Sequence, residues 1–259
     1  MNYGVCSLTV IPMRAEPSHC SEMVSQILFG ETYTVLESAD EWLRVETNHD
    51  DYQGWIQRKQ HVVISEGAFE TYRNCVKLRL RKPLITVRPT ILSMGALVPV
   101  HPGLSPNPEL LPEQLQSDDW LPEQGLSGLP RVERMELLRE AAMSLLGTPY
   151  LWGGRTPFGI DCSGFTQLLY SLIGVQLPRD ASQQVHCGEA IDFIHEAQLG
   201  DLAFFQNEEG RVVHVGMMLN DHEIIHSSGR VRIDRIDETG IFNEEMQRYT
   251  HQLRVIVRQ

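Results

Sequence analysis

Positive charge, paired cysteines and long apolar runs are all scarce in this chain of 259 residues. Lys and Arg together number 22 against 34 Asp and Glu, a formal net charge of −12. Nucleic acid and anionic membrane both require clustered cations, so neither is an expected partner. The five cysteines (Cys6, Cys20, Cys75, Cys162, Cys187) are odd in number and have no C-x-x-C spacing. Neither a disulfide framework nor a structural zinc site is expected, and reduced thiols fit best. No apolar run approaches the length of a membrane span. The start, Met-Asn-Tyr-Gly-Val-Cys, lacks the basic and apolar regions of a secretory leader, and Cys6 follows no lipoprotein-type apolar run. If the chain is complete, a cytoplasmic protein is expected.

What is present centres on Pro149-Tyr150-Leu151-Trp152-Gly153-Gly154 and Ile160-Asp161-Cys162-Ser163-Gly164-Phe165. After Cys162, apolar residues recur at Phe165, Leu168, Leu169, Leu172 and Ile173, the spacing of a helix that buries one face. Gly174 stops it. Asp161 or Ser163 can cap the first turn, so the thiol sits by unpaired backbone N–H groups and the positive end of the helix dipole, which favours thiolate. That is where a nucleophile belongs, although a single cysteine taken without partners reads more readily as a buried structural thiol.

Two histidines supply possible partners. Val212–Met218 and His222–Gly229 read as an antiparallel hairpin around Asn220-Asp221, with His214 on one strand and His226 on the other. If the turn pairs Leu219 with Glu223, both rings lie on one face as near-diagonal neighbours. A two-residue turn puts them on opposite faces, so shared chemistry requires an odd loop or a bulge. On that condition Cys162 attacks, His214 takes and returns the proton, and His226 orients His214. An imidazole orienter carries no permanent charge and should stabilise an imidazolium less than a carboxylate would.

These motifs, PYLWGG…GIDCSGF, LPRDASQQ, GDLAFF, HVGMML and IIHSSG, resemble the NlpC/P60 family of papain-like cell-wall peptidases over residues 130–259. Cys162, His214 and His226 fall at that family's nucleophile, base and orienting positions. A helix before the motif agrees, with Val132, Met135, Leu138, Ala142 and Leu145 as its apolar stripe, Pro130 near its start and Gly147 after its end. The resemblance implies that Arg179 and Asp180 line the substrate site, Arg179 receiving a carboxylate and Asp180 an ammonium. A surface ion pair is the plainer reading of the two. Tyr150 is a candidate extra donor to an oxyanion held by the helix-start amides. Asp161 and Ser163 flank the nucleophile, either touching substrate or capping the helix.

The fold expected is multidomain: two small all-β SH3-like barrels, at 1–65 and 66–125, then an α+β papain-like catalytic domain at 126–259. In the first, Cys6–Ile11, Thr32–Glu37, Trp42–Thr47 and Gly54–Gln57 read as strands, and the Gly30-Glu31, Glu41–Val45 and Gly54–Ile56 segments are similar to a bacterial SH3-like domain. Trp42 and Trp55 read as core or groove wall. In the second, the strands are Val76–Leu80, Ile85–Arg88 and Ala96–Val100. Seven of the 14 prolines lie between Pro99 and Pro130, marking a spacer. The third has two helices, then strands at Asp201–Phe205, Arg211–Leu219, Glu223–His226 and Leu253–Val257.

Barrels ahead of a leaderless catalytic domain resemble the cytoplasmic members of the family that release L-Ala-γ-D-Glu from short murein peptides during recycling. The resemblance further implies that the first barrel closes the cleft beyond the γ-D-Glu subsite. A free N-terminal L-Ala then needs polar partners, for which Asp180, Glu22 and Tyr52 are the candidates. A monomer without cofactor or metal is expected. The competing readings are a secreted hydrolase of intact wall, a non-catalytic wall-binding protein, and a zinc site on Cys162, His214 and His226.

Overall fold

Short alternating segments in the first sixty-odd residues form a seven-stranded antiparallel sheet. Its strands are β1 (Asn2–Val5), β2 (Val10–Arg14), β3 (Met23–Leu28), β4 (Thr32–Ala39), β5 (Trp42–Thr47), β6 (Gln53–Gln57) and β7 (Val62–Ile64). They lie in the order β3-β2-β6-β5-β4-β1-β7. The computed structural model describes residues 2–87, 90–100, 103–105, 115, 117–123, 126 and 128–259. Its first unit comprises Met1–Gly128, Trp152–Pro157 and Ser171–Gln176; its second comprises Leu129–Leu151, Phe158–Tyr170 and Leu177–Gln259.

In the first unit the inward faces of the sheet bury Cys6, Ile11, Met13, Ile27, Tyr33, Leu43, Val45 and Ile56 as one core. The strand expected at Cys6–Ile11 straddles a bend. Cys6 instead exchanges backbone hydrogen bonds with the turn opposite, its N–H donating to Glu31 and its C=O accepting from Gly30. The sequence expectation also missed β3, because Ser25 and Gln26 are buried polar residues that break the apolar alternation.

Helix α1 (Glu66–Asn74) falls where only strands were expected. Ser65 caps it by accepting from the Ala68 N–H, and Phe69 and Tyr72 are its buried residues. Phe69 stacks on Tyr3 with ring centroids 4.0 Å apart. Strands β8 (Lys77–Leu80), β9 (Leu84–Val87), β10 (Thr90–Ser93), β11 (Leu97–Pro99) and β12 (Trp120–Pro122) follow in two small sheets, β10-β9 and β11-β8-β12. They enclose a second core of Phe29, Leu80, Val87, Leu92, Ala96, Val98 and Trp120. Arg88 and, within the proline-rich spacer, residues 101, 102, 106–114, 116, 124, 125 and 127 lie outside the described residues.

Two later segments of chain join this unit, and the first of them, Trp152–Pro157, carries β13 (Arg155–Thr156). The Arg155 guanidinium is 2 % exposed and pairs bidentately with Glu31 at 2.9 and 3.0 Å. It also donates to the Gln26 carbonyl at 2.7 Å, while the Arg155 amide donates to the Gln26 side chain at 2.7 Å. Burial alone would raise the Glu31 carboxyl, but the charges of Arg155 and His49 outweigh it and hold the group below its ordinary range. Gly153 sits at φ +76°, where a Cβ would lie 2.3 Å from the Met23 carbonyl oxygen.

The second unit begins with α2 (Arg131–Ser144), which buries Met135, Leu138, Ala141 and Ala142. Val132, expected in that stripe, is 74 % exposed. After β14 (Gly159–Ile160) come α3 (Cys162–Leu172), whose residues from Ser171 on are counted with the first unit, and the short α4 (Ala181–Gln184). The seven-stranded antiparallel sheet consists of β15 (Glu189–Ile191), β16 (Leu202–Gln206), β17 (Val212–Met218), β18 (Glu223–Ser228), β19 (Arg230–Ile236), β20 (Gly240–Asn243) and β21 (Arg248–Arg258). Its order is β15-β21-β16-β17-β18-β19-β20, and β20 also pairs with β21. Six strands therefore close on themselves around Ala203, Phe205, Met218, Ile224, Ile236, Ile241 and Ile256, leaving β15 outside the ring. This is the α+β domain expected, with β14, β15, β19 and β20 in addition to the strands expected from the sequence. Among the described residues no helix is long and apolar enough to cross a membrane.

Candidate active site

Helix α3 buries Phe165, Leu168, Leu169, Leu172 and Ile173, as the apolar spacing requires, and ends at Gly174 with φ +79°. Asp161 caps it, accepting from the Gly164 N–H at 2.7 Å. The same carboxylate is gripped by Arg179, with Nη2 donating to Oδ2 at 2.6 Å and Nη1 to Oδ1 at 3.0 Å. Arg179 Nη1 also donates to Ser163 Oγ at 3.0 Å. Arg179 is 1 % exposed, so the surface ion pair expected of it is instead a buried clamp on the helix start. Its guanidinium is turned to Asp161 and Ser163, and a substrate carboxylate would have to compete with them for it. Gln184 secures the same turn, donating to the Ser163 carbonyl at 3.0 Å and accepting from Thr166 Oγ1 at 2.7 Å.

The histidine hairpin has the register on which the triad depended. Leu219 N–H donates to the Glu223 carbonyl, leaving a three-residue loop, and Gly216 stands opposite His226. His214 is thus the diagonal neighbour of His226, and their rings meet through His214 Nε2 and His226 Nδ1 at 2.8 Å. Gly216 has to be bare: a Cβ there would lie 2.7 Å from His226 Cβ.

Two further residues join this pair without having been anticipated. Asp234, on β19, lies with Oδ2 2.9 Å from His226 Nε2. It is held in turn by Arg232, whose Nη2 donates to Oδ1 at 2.8 Å and whose Nη1 donates to Glu245 at 3.1 Å. His251, on β21, stacks against His214 with centroids 4.2 Å apart and planes 29° from parallel. A signal for Asp234 existed in Arg230-Val231-Arg232-Ile233-Asp234, whose charged and apolar residues alternate at strand period. For His251 there was none beyond the residue type.

Cys162 is 7 % exposed. Burial pushes its thiol up to about 11, and the neighbouring Asp161 charge pushes the same way; the backbone amides of Val215 and Ser163 and the Arg179 charge oppose them without prevailing. Val215 follows His214 on β17, so that amide brings the sulfur to the strand of the histidine. Burial also holds His214 well below its ordinary value, with His226 and His251 adding to the effect. Desolvation thus opposes the thiolate expected from the helix dipole, and both shifts favour a neutral thiol beside a neutral imidazole. His226 is lowered by burial in spite of Asp234. For Asp234, burial alone would raise the carboxyl, but the hydrogen bonds from His226 and Arg232 outweigh it and keep the group ionised.

The remaining candidates are placed as follows. Tyr150 is half-buried, its backbone N–H donating to the Gly229 carbonyl at 3.0 Å. Burial raises its phenol, and the Cys162 and Asp161 charges raise it further, so it lies within electrostatic reach of the thiol. Asp180 is half-buried and begins α4, its carbonyl accepting from the Gln183 and Gln184 amides. In the first unit, Glu22 is exposed in the turn before β3, and Tyr52 packs against the first core. The hydrogen bonds between His214, His226 and Asp234 engage three of the four histidine ring nitrogens in a linear proton network. A metal site would need their lone pairs converged on one point.

The NlpC/P60 family model matches residues 147–254, and the bacterial dipeptidyl-peptidase Sh3 domain matches residues 13–60. The gamma-D-glutamyl-L-lysine dipeptidyl-peptidase of Bacillus cereus (strain ATCC 10987 / NRS 248) is 30% identical over 230 residues, covering 81% of this chain and 68% of its own length. Dipeptidyl-peptidase 6 of Lysinibacillus sphaericus is 29% identical over 256 residues, covering 86% and 88%. A solved structure of an NlpC/P60 family protein from Bacillus cereus ATCC 10987 has a TM-score of 0.74 at 21% identity and covers 99% of both chains, a likeness of fold.

Proposed function

The chain belongs to the NlpC/P60 family, and from that premise we propose that it is a cysteine peptidase cleaving the bond between γ-D-Glu and an L-diamino acid, diaminopimelate or Lys, in murein peptides. The observation that carries the reading is the buried 2.8 Å contact between His214 and His226 on a hairpin whose Val215 amide meets the Cys162 sulfur. The substrate rests on the relatives named for the γ-D-glutamyl-L-lysine bond.

As the sulfur bonds to the carbonyl carbon, the thiol proton moves to His214 and the π pair moves onto oxygen. The Cys162 amide and the Tyr150 hydroxyl receive that oxyanion. On collapse the C–N bond breaks, and the amine leaves with the proton from His214. Water then repeats the sequence on the thioester, releasing L-Ala-γ-D-Glu and restoring the thiol. A neutral base and a neutral thiol suit this concerted proton movement, because neither partner has to be charged in the dry site beforehand.

Asp161, Ser163 and Arg179 support the nucleophile from behind, and Asp180 is proposed to receive the free ammonium of L-Ala. Roles for Glu22 and Tyr52 in that same recognition are proposals of the same kind. Five unpaired cysteines suit a reducing compartment, in keeping with a monomeric cytoplasmic enzyme of peptide recycling. Mass spectrometry of products decides the substrate: L-Ala-γ-D-Glu-diamino acid peptides should yield L-Ala-γ-D-Glu, while intact sacculi and N-acetylated peptides should be poor substrates. Efficient release of fragments from sacculi would move the reading to a hydrolase of intact wall.

A further inference from the structure

We propose that Asp234 is a positioning residue that fixes the protons along the histidine pair, so that His214 presents Nδ1, unprotonated, to the Cys162 thiol. The inference rests on the cysteine-peptidase reading and adds to it the nitrogen that does the work and the group that selects it.

The argument follows the donors and acceptors in turn. An ionised carboxylate only accepts hydrogen bonds, so the 2.9 Å contact between Asp234 Oδ2 and His226 Nε2 requires a proton on that nitrogen. Buried and neutral, His226 carries one ring proton, which leaves Nδ1 as an acceptor. The 2.8 Å contact from Nδ1 to His214 Nε2 then requires the proton on His214 to sit at Nε2. Neutral His214 has its remaining lone pair on Nδ1. With Asp234 ionised and both rings neutral, every other placement sets two lone pairs or two protons face to face in a buried contact. When Nδ1 takes the thiol proton, the new imidazolium keeps donating from Nε2 along the same line, toward a carboxylate two rings away. The orienting imidazole is thus backed by the permanent charge that a histidine alone would lack.

Arg232 makes the selection robust. Its Nη2 holds Asp234 Oδ1, and its Nε lies 2.7 Å from Oδ2, so the carboxylate cannot rotate away without breaking an ion pair that is 12 % and 3 % exposed. The charged and titratable groups around the pair are Asp234 and Arg232 on β19, His251 on β21, Glu245 beyond Arg232, and Cys162 with Asp161 at the start of α3.

Replacing Asp234 by Asn gives a directional test. Arg232 should keep the amide oxygen, turning the NH2 toward His226 and forcing its proton from Nε2 to Nδ1, which reverses the whole line. We expect kcat to fall on the order of 10²-fold or more with KM little changed, by analogy with wrong-tautomer variants of other triads. Asp234→Glu should recover part of the loss. Nitrogen-15 spectra of the histidine rings in the Cys162→Ala protein should show His214 and His226 both protonated at Nε2, and both at Nδ1 once Asp234→Asn is added. A folded Asp234→Asn protein with kcat within about threefold of the parent and unchanged ring protonation would overturn the positioning role while leaving the triad intact. Should Asp234→Asn fail to fold, the spectra of Cys162→Ala alone still decide, because a protonated His214 Nδ1 overturns the proposal. Activity surviving in both Cys162→Ala and His214→Ala would instead sink the underlying reading.

Discussion

At the scale of single residues, the site is a set of groups that share protons under desolvation. Cys162→Ala should abolish hydrolysis without unfolding, since it removes a sulfur from a helix start rather than opening a large cavity, and His214→Ala should do nearly the same. His226→Ala should retain more activity than either, which steady-state kinetics on the three purified variants will rank. The pH behaviour follows from two opposed shifts. With the thiol pushed up to about 11 and His214 held low, the Cys162 thiolate population grows only in alkaline solution. Alkylation by iodoacetamide should therefore climb steadily with pH and show no plateau near neutrality. A flat, fast rate between about pH 5 and 8 would reveal a thiolate–imidazolium pair and refute the neutral resting state. Added chelator should leave activity intact; loss that zinc restores would revive the metal reading.

At the scale of elements, Gly216 ties strand register to chemistry. Gly216→Ala should destabilise the protein by roughly 1–3 kcal/mol, because its Cβ would meet His226 Cβ at 2.7 Å. Activity should fall further than the stability loss explains, as the ring is pushed off His214. Thermal melts and kcat on the same preparation separate the two effects. This is also the scale at which the sequence was most and least informative. Helix α3, its stop at Gly174 and the β17–β18 hairpin were legible because apolar period and turn chemistry agreed. Strand β19 was missed although Val231 and Ile233 alternate with charged residues, because here the charged face, with Arg232 and Asp234, is the one turned to the buried site. Helix α1 was hidden because only Phe69 and Tyr72 are buried, too few to set a period. Arg179 was misjudged for a related reason, as no local pattern tells a buried clamp from a surface arginine.

At the scale of the whole molecule, stability in acid should turn on the pair of Arg155 and Glu31. The Glu31 carboxyl is lower in the folded chain than in the unfolded one, so its contribution is full above an unfolded value of about 4.3. It is lost as pH falls through the folded value. Glu31→Gln should cost about 3–5 kcal/mol at neutral pH by stranding a buried guanidinium, and should flatten the acid limb of a stability–pH curve measured by urea melts. An unchanged melt would mean that Gln26 and its neighbours carry Arg155 alone.

The same pair sets a timetable for synthesis. Glu31 and Arg155 are 124 residues apart, and Gln26 meets Arg155 across 129. When the first unit's opening 128 residues have left the ribosome, a carboxylate destined for a dry interior still lacks its cation, and the amide side chain beside it lacks its donor. Water must remain at Glu31 until the peptide Trp152–Pro157 emerges. The nascent β-sheet is therefore held short of its final packing until Arg155 has left the ribosome, and the first unit then still awaits Ser171–Gln176, which follow Cys162 in the chain.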